Sequence, residues 1–438
     1  MNRRASLLEG VRRLVPILVA AALLLASAAG TIAAPSAAAA GSVSFDLPTG
    51  TAVLLRPLVL QDTFRSTVTP VRVELVTSSP FVAGSTVETV PVTRAAGGAW
   101  HVSVSQPDTG SVNTVYRFAF RVTLPGGVTQ TSPTASVTVT DTRFAWQSIS
   151  GTTVTLHWYA ESRSVAQGFL ATAESAVKRA ASAFGVSTVP RLDFFIYDES
   201  QPFFDAVGAG ANADAAGVYI PDTHTAFGTV YASDLGTSWP DTEIAHEVTH
   251  HVFEIATHNA YHAPPFWLDE GAAVYYSEGI GPRNSDLQAG IRQGTIIPLD
   301  GLSGAFPSST DPFVLSYAEA VSAVDFFLRT YGQPALRRLL AAYKAGATDD
   351  EAFQAATHGT AGAFDAAWLA SIGIHPPPAY GPRPAPAGPL PPGWSSSPAP
   401  GSLSAVALIG VASALAAVAA AARRRSMRPR RPGPCENH

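Results

Sequence analysis

Cysteine is all but missing: the 438-residue chain has one, Cys435, three positions from its end. The chain before it can form no internal disulfide, and it offers neither a cysteine-ligated metal site nor a cysteine nucleophile. This absence does not place the protein in the cytosol, because large domains with good cores do without disulfides. Methionine is nearly absent too, with only Met1 and Met427. Charge is sparse, at 14% of residues, and the net charge is −5. Ten of the basic residues are arginines in the two terminal segments, 1–40 and 423–438, which hold only two acidic residues. Without those segments 18 basic residues face 31 acidic ones, and a surplus of about −13 argues against a nucleic-acid partner. What the chain has in quantity is apolar residues, 46% of the total, enough to bury the cores of two or three domains.

The terminal segments point to an address. Arg3, Arg4, Arg12 and Arg13 precede an apolar run from Leu14 to Ala29, and small residues continue to Ala40. That order is the order of a secretory signal, with cleavage after Ala28 or within Ala37–Ala40; an uncleaved anchor is the alternative. Leu403–Ala422 is a charge-free stretch of twenty residues followed at once by Arg423, Arg424 and Arg425. At the helical rise it covers a bilayer core, and the arginines after it belong on the cytoplasmic side. Its alanine content also admits a soluble tail. The segment 374–401 is a proline-rich linker that favours extended polyproline II, a semi-rigid spacer of roughly 80 Å at ~3.1 Å per residue. The expected organisation is a signal at 1–40, folded domains at 41–141 and 142–373, the linker at 374–401, a transmembrane helix at 403–422 and a cytoplasmic tail at 423–438. The folded part then lies outside the cell on a single-pass anchor.

The first folded region reads as strands. Val71–Val76 and Val115–Val122 alternate apolar with polar residues, Pro125-Gly126-Gly127 marks a turn, and Ala135–Val139 closes the series. Short strands with turns between them suggest a β-sandwich of immunoglobulin or fibronectin type. The region carries no catalytic constellation, and its one histidine, His101, stands alone. From Thr142 the pattern changes. Strands at Thr153–Tyr159, Leu192–Tyr197 and Gly217–Ile220 and an amphipathic helix at Ala166–Phe184 give a mixed α and β arrangement. If Gly217–Ile220 is a sheet edge beside a cleft, its backbone can pair with an extended peptide.

The chemistry is concentrated in His246-Glu247-Val248-Thr249-His250, followed by Trp267-Leu268-Asp269-Glu270-Gly271. In a helix, His246 and His250 stand one turn apart on one face, so both imidazoles can reach a single zinc ion with Glu247 beside the open position. The helix is expected to start at Pro240, with Asp241 or Thr242 as cap and Glu243 in its first turn. A third ligand is required. A histidine six residues after His250 is excluded because that position is Ala256, and a Met-turn is excluded because Met1 and Met427 are the only methionines. Glu270, on a second helix at Trp267–Ser277, fits as a glutamate ligand, with Asp269 as its rival and a candidate to support a ligand from behind. His251 is expected at the surface, and His258 and His262 at the surface or against substrate.

The stretch HEVTHHVFEIATHNAYHAPPFWLDEGAAVYYSEG resembles the gluzincins, the thermolysin-like zinc metallopeptidases. It is most similar to the peptidase MA-like family of secreted or membrane-anchored bacterial proteins. The resemblance continues through Ser316–Phe327, Arg337–Leu340 and a Phe364–Trp368 helix, and spans roughly residues 142–373. It implies an α+β peptidase domain after the sandwich, one zinc ion held by His246, His250 and Glu270, Glu247 as base, and a peptide or protein substrate. It also implies that Tyr317 acts on the tetrahedral intermediate; a buried structural tyrosine is the competing role. The aspartate that some clan members carry one turn after the glutamate ligand is replaced by Val274, so support for His246 must come from elsewhere. Three other readings stay open. They are a surface binding module with a structural zinc site, an adhesion protein acting through the β-domain, and a zinc hydrolase of non-peptide bonds.

Overall fold

Alternating strands need two faces to bury, and the N-terminal region supplies them as two stacked sheets. The computed structural model describes residues 41–107, 110–208 and 215–375. Outside them lie the expected signal, the span at 403–422, the basic tail, and the linker apart from its first two residues. Among the described residues no helix is long and apolar enough to cross a membrane. One sheet is built from β1 (Val43–Phe45), β2 (Thr49–Thr51), β3 (Leu58–Ser66), β6 (Val92–Arg94) and β7 (Trp100–Gln106). The other is built from β4 (Arg72–Ser78), β5 (Thr86–Thr89), β8 (Val115–Thr123), β9 (Thr129–Thr131) and β10 (Ala135–Thr138). All pairings are antiparallel, with β3 against β7 and β4 against β8 at the two centres. Leu58, Leu60 and Phe64 of β3 pack with Val73, Leu75, Phe118, Phe120 and Val122 of the facing sheet. Each such side chain contributes about 1.5–3 kcal/mol on burial. The sandwich expected from the alternation is therefore present.

A third sheet follows in the order β11 (Gln147–Ser150), β12 (Val154–Trp158), β13 (Leu192–Tyr197), β15 (Thr225–Thr229), β14 (Gly217–Ile220). The three central strands are parallel and both edges are antiparallel. The crossover from β12 to β13 is helix α1 (Arg163–Phe184). Ser162 accepts from the Val165 amide at its start, and Gly185 ends it in the left-handed region at φ 78°. A short helix α2 (Ser200–Val207) precedes the edge strand. The helical layer then adds α3 (Trp239–Thr257), α4 (Phe266–Ser277), α5 (Asn284–Gln293), α6 (Thr310–Lys344), α7 (Asp349–Thr357) and α8 (Ala361–Ser371). The α6 segment is two helices joined at Gly332, whose φ of 78° and ψ of 168° break the ladder just before Pro334. The start of α3 corrects an expectation: no side chain caps it, and Asp241 instead accepts from the Thr172 hydroxyl. Pro240 in the first turn lacks the amide that a cap would satisfy.

The sandwich is docked on this second layer through a mixed interface. The Val112 amide donates to the Ala206 carbonyl at 2.9 Å, and the Asn113 side chain donates to Thr225 Oγ1 at 2.9 Å. Arg143 joins Asp141 at 2.8 Å to Asp205 at 2.6 Å. Leu54 and Val112 share an apolar cluster with Tyr197, Phe203 and Phe227.

One buried group opposes this packing. Glu319 on α6 is fully buried, accepts from the Ile297 amide through Oε1 at 2.7 Å, and leaves Oε2 without a partner. Burial pushes its carboxyl from 4.5 to about 8, against the weaker pull of that amide. Between those two values the folded chain keeps a proton that the unfolded chain releases. The stability is therefore full below about pH 4.5 and is lost as pH rises through about 8. We expect Glu319→Gln to melt higher than wild type at pH 9, by on the order of 3 kcal/mol, with the gap closing toward pH 5. Thermal melts of both proteins across that range decide it.

Candidate metal centre

Helix α3 is buried on most of its circumference, with Ile244, Val248 and Val252 in the core. The face carrying His246, Glu247 and His250 turns into a cleft. Opposite it, α4 brings Glu270 close because Gly271 follows: a Cβ there would lie 2.5 Å from the Ala320 carbonyl oxygen of α6. Glycine thus permits the backbone contact that seats α4 against the helix carrying Tyr317.

The three expected donors converge. His246 Nε2 lies 3.0 Å from His250 Nε2 and 3.4 Å from Glu270 Oε2, and His250 Nε2 lies 3.6 Å from the same oxygen. Zinc bonds of about 2.0–2.2 Å in tetrahedral geometry require ligand edges of this size. Glu270 Oε2 is buried and has no hydrogen bond, as expected of an atom placed for a cation. Burial alone would raise the Glu270 carboxyl; the combined pull of His250 and His246 overrides it and holds the group at about 2. The residues present fit zinc. The tightest cluster of potential ligand atoms among the described residues is His246, Glu247 and His250, without Glu270. The triangle closed by Glu270 matches a tetrahedral face, and Glu247 sits next to it.

Asp269 resolves its rivalry with Glu270 by position. Its Oδ1 is 2.7 Å from His250 Nδ1. A carboxylate accepts, so Nδ1 carries the hydrogen and the Nε2 lone pair is directed inward. Asp269 thus supports a ligand from behind. Glu247 is buried, with Oε2 unpartnered, and burial raises its carboxyl well above the usual range against the pull of His250. Tyr317 lines the cleft, its ring 6.3 Å from that of His246, packed edge-on against Phe306 and Phe313. The Arg283 guanidinium lies 5.7 Å over the Tyr317 ring. Burial lifts the Tyr317 hydroxyl far above its ordinary range, so it stays protonated.

Two cavities of about 290 and 470 Å³ flank the row formed by His246 and Glu247. Every described residue that lines them lies between Ala215 and Tyr317, so no described residue of the sandwich lines this cleft. Gly217, Val218 and Tyr219 of the edge strand line the larger one. A Cβ at Gly217 would collide with the Glu243 and Glu247 carboxylates.

His251 is a correction. It is fully buried, because a helix that turns its ligand face to the cleft turns the next residue, about 100° on, toward the sheet. Its Nε2 is 3.0 Å from the Pro190 carbonyl, which only accepts, so Nε2 carries the hydrogen and Nδ1 accepts from Tyr219 Oη at 3.0 Å. His224 Nδ1 lies 3.3 Å from the same hydroxyl. Burial lowers His251 to about 4, so it is neutral and the chain of bonds runs one way. The edge strand is thereby fastened to α3. His258 pairs with Glu254 at the surface, and His262 lies 3.0 Å from Asp349, both away from the donors.

The sequence reading named Gly217–Ile220 as an edge beside a cleft, which it is, but it gave Glu243 only a first-turn role and missed Arg283. Glu243 stands three and four residues before His246 and Glu247, so helical spacing already placed it on their face. Arg283 is brought in by the turn after α4, which no local pattern marks.

The α+β layering and the donor triangle define a metallopeptidase-type domain. Residues 172–373, slightly under half of the chain, match the family described as Peptidase MA superfamily. Family and donor set together support a zinc peptidase in general. Among solved structures, an M1 zinc metallopeptidase from Deinococcus radiodurans is 10% identical at a TM-score of 0.38, over 78% of this chain and 96% of that one. An aminopeptidase N family protein from Idiomarina loihiensis is 12% identical at a TM-score of 0.36, over 75% of this chain and 73% of that one. A cycloalternan-degrading enzyme from Trueperella pyogenes is 11% identical at a TM-score of 0.17, over 24% of this chain, which spans only 16% of that one. Likenesses this weak do not define the overall architecture. No curated protein sequence matches the chain.

Because Asp269 fixes the His250 tautomer, we expect Asp269→Asn to weaken zinc binding roughly 10–100-fold with the fold intact. Competition with a chromogenic chelator measures it; unchanged affinity would remove Asp269 from this role.

Proposed function

We propose that the cleft is the active site of a zinc-dependent peptidase in which His246, His250 and Glu270 hold one metal ion and Glu247 is the base. The observation that carries this reading is the triangle of donor atoms 3.0–3.6 Å apart, with an unpartnered Glu247 oxygen beside it. Zinc bound there supplies Lewis-acid polarisation of a carbonyl and brings the ionisation of water into the neutral range. Glu247 takes the proton of the attacking water and passes it to the leaving amine; its burial supports a basicity suited to both transfers. Tyr317, held protonated by burial, donates its O–H to the oxyanion that develops on the scissile carbonyl. Edge strand β14 lies along the cavity and offers backbone groups to an extended peptide. The intact Glu247 weighs against a purely structural zinc site, which has no use for that carboxylate. The charged, apolar and small-residue order of 1–40 and the run at 403–422 support an ectodomain acting at the extracellular face, carried on the proline-rich linker.

Glu247→Gln is expected to keep about one zinc per chain by metal analysis while losing roughly 10²–10⁴-fold in peptide hydrolysis. Full activity in that variant, or a protein that stays free of metal after zinc supplementation, overturns the assignment. Tyr317→Phe is expected to lower kcat by roughly 10²-fold with little change in KM. An unchanged kcat would leave Tyr317 as a packing residue only.

A further inference from the structure

The proposed reaction leaves one buried carboxylate of the cleft unused. Glu243 is only 7% exposed and lines the smaller cavity. Among the described residues no hydrogen bond or ion pair engages it, and Gly217 leaves its carboxylate the space it occupies beside Glu247. Burial raises its carboxyl against the weaker pull of His246 and His250. The other charges of the cleft are matched. A zinc dication is balanced by Glu270 and Glu247, and Arg283 is committed to Glu278 at 2.7 Å. With neutral histidines, the carboxylates of Asp269 and Glu243 remain; Asp269 accepts from His250 Nδ1, and Glu243 is the one without a partner. The cavity around it holds about 290 Å³, and Trp239, Phe313 and Val314 give it apolar walls. Such walls suit the aliphatic stem of a chain whose charged head reaches a buried acid.

We propose that this cavity is a subsite for a positively charged group of the substrate, a protonated amine close to the scissile bond, received by Glu243. The proposal rests on the peptidase reading of the same cleft and adds the class of substrate. The amine has two sources, a free amino terminus or a lysine side chain. A proton on Glu243 is the competing occupant.

The test is a binding measurement on the zinc-loaded Glu247→Gln protein, so that it does not depend on turnover. Short alanine peptides carry a single lysine, scanned along the sequence, each prepared with the lysine free or acetylated and with the amino terminus free or acetylated. Acetylation removes the charge and leaves the protein untouched. We expect one charged form to bind about 10–100-fold more tightly than its acetylated partner, the size of a charge-assisted hydrogen bond in a desolvated site. The arm that shows the gain names the source. In the same protein with Glu243→Gln the ratio should fall to about one. Equal binding of charged and acetylated peptides, a ratio unaffected by Glu243→Gln, or no binding of any of them overturns the proposal. If wild type hydrolyses peptides and the paired peptides bind alike, the subsite fails and the peptidase reading stands. If wild type hydrolyses no peptide at all, the peptidase reading fails, and the binding ratio still decides what Glu243 receives.

Discussion

The structure depends on three buried donors being held within 3.6 Å of one another. Two imidazoles one turn apart come from the helical period. The third donor arrives from another helix, and it fits only because Gly271 lets α4 press on the Ala320 carbonyl. A side chain at that position would push Glu270 and the Tyr317-bearing helix apart together. The backbone contact and the donor triangle are therefore one constraint.

Adjacent residues of α3 divide two tasks. His250 faces the cleft and is oriented from behind by Asp269. His251, about 100° further round, faces the sheet and fastens the edge strand through Tyr219. The terminal Pro190 carbonyl sets the direction of that chain of bonds, since it can only accept. The strand that lines the cleft is thus registered to the helix that carries the donors. A peptide lying along β14 would meet His246 and Glu247 at a position fixed by side chains beneath the strand.

How much of this was legible in the sequence varies with the range of the interactions. Short-period signals read well: the strand alternation, the helix expected at Ala166–Phe184 and found at Arg163–Phe184, and the shared face of His246 and His250. The His251 expectation failed because exposure was judged from adjacency to a ligand, although the other sides of a core helix are buried too. The expected cap failed because Asp241 had a tertiary partner, Thr172, that competes with the amides of its own helix. Glu243 was assigned to a first-turn role, but α3 starts at Trp239 and the acidic residue of its first turn is Asp241. Arg283 carries no local signal at all; the turn after α4 brings it to the site.

Charge explains why these residues coexist in so small a volume. Glu243, Glu247 and Glu270 are all nearly or fully buried around two imidazoles. Carboxylates so placed repel one another and resist desolvation, and at Glu247 burial and its acidic neighbours both act in that direction. Only Glu270 is held low, because both histidines lie against it. A cluster of this kind is tolerable when positive charge sits within it, and the donor triangle is where a dication does so. Binding the metal then does more than activate chemistry: it offsets the electrostatic cost of the acids that surround it, so the order of the cleft and the affinity for the ion are coupled. Asp269 lies on the far side of His250 and adds negative charge behind the ligand without crowding the metal face, which strengthens that coupling.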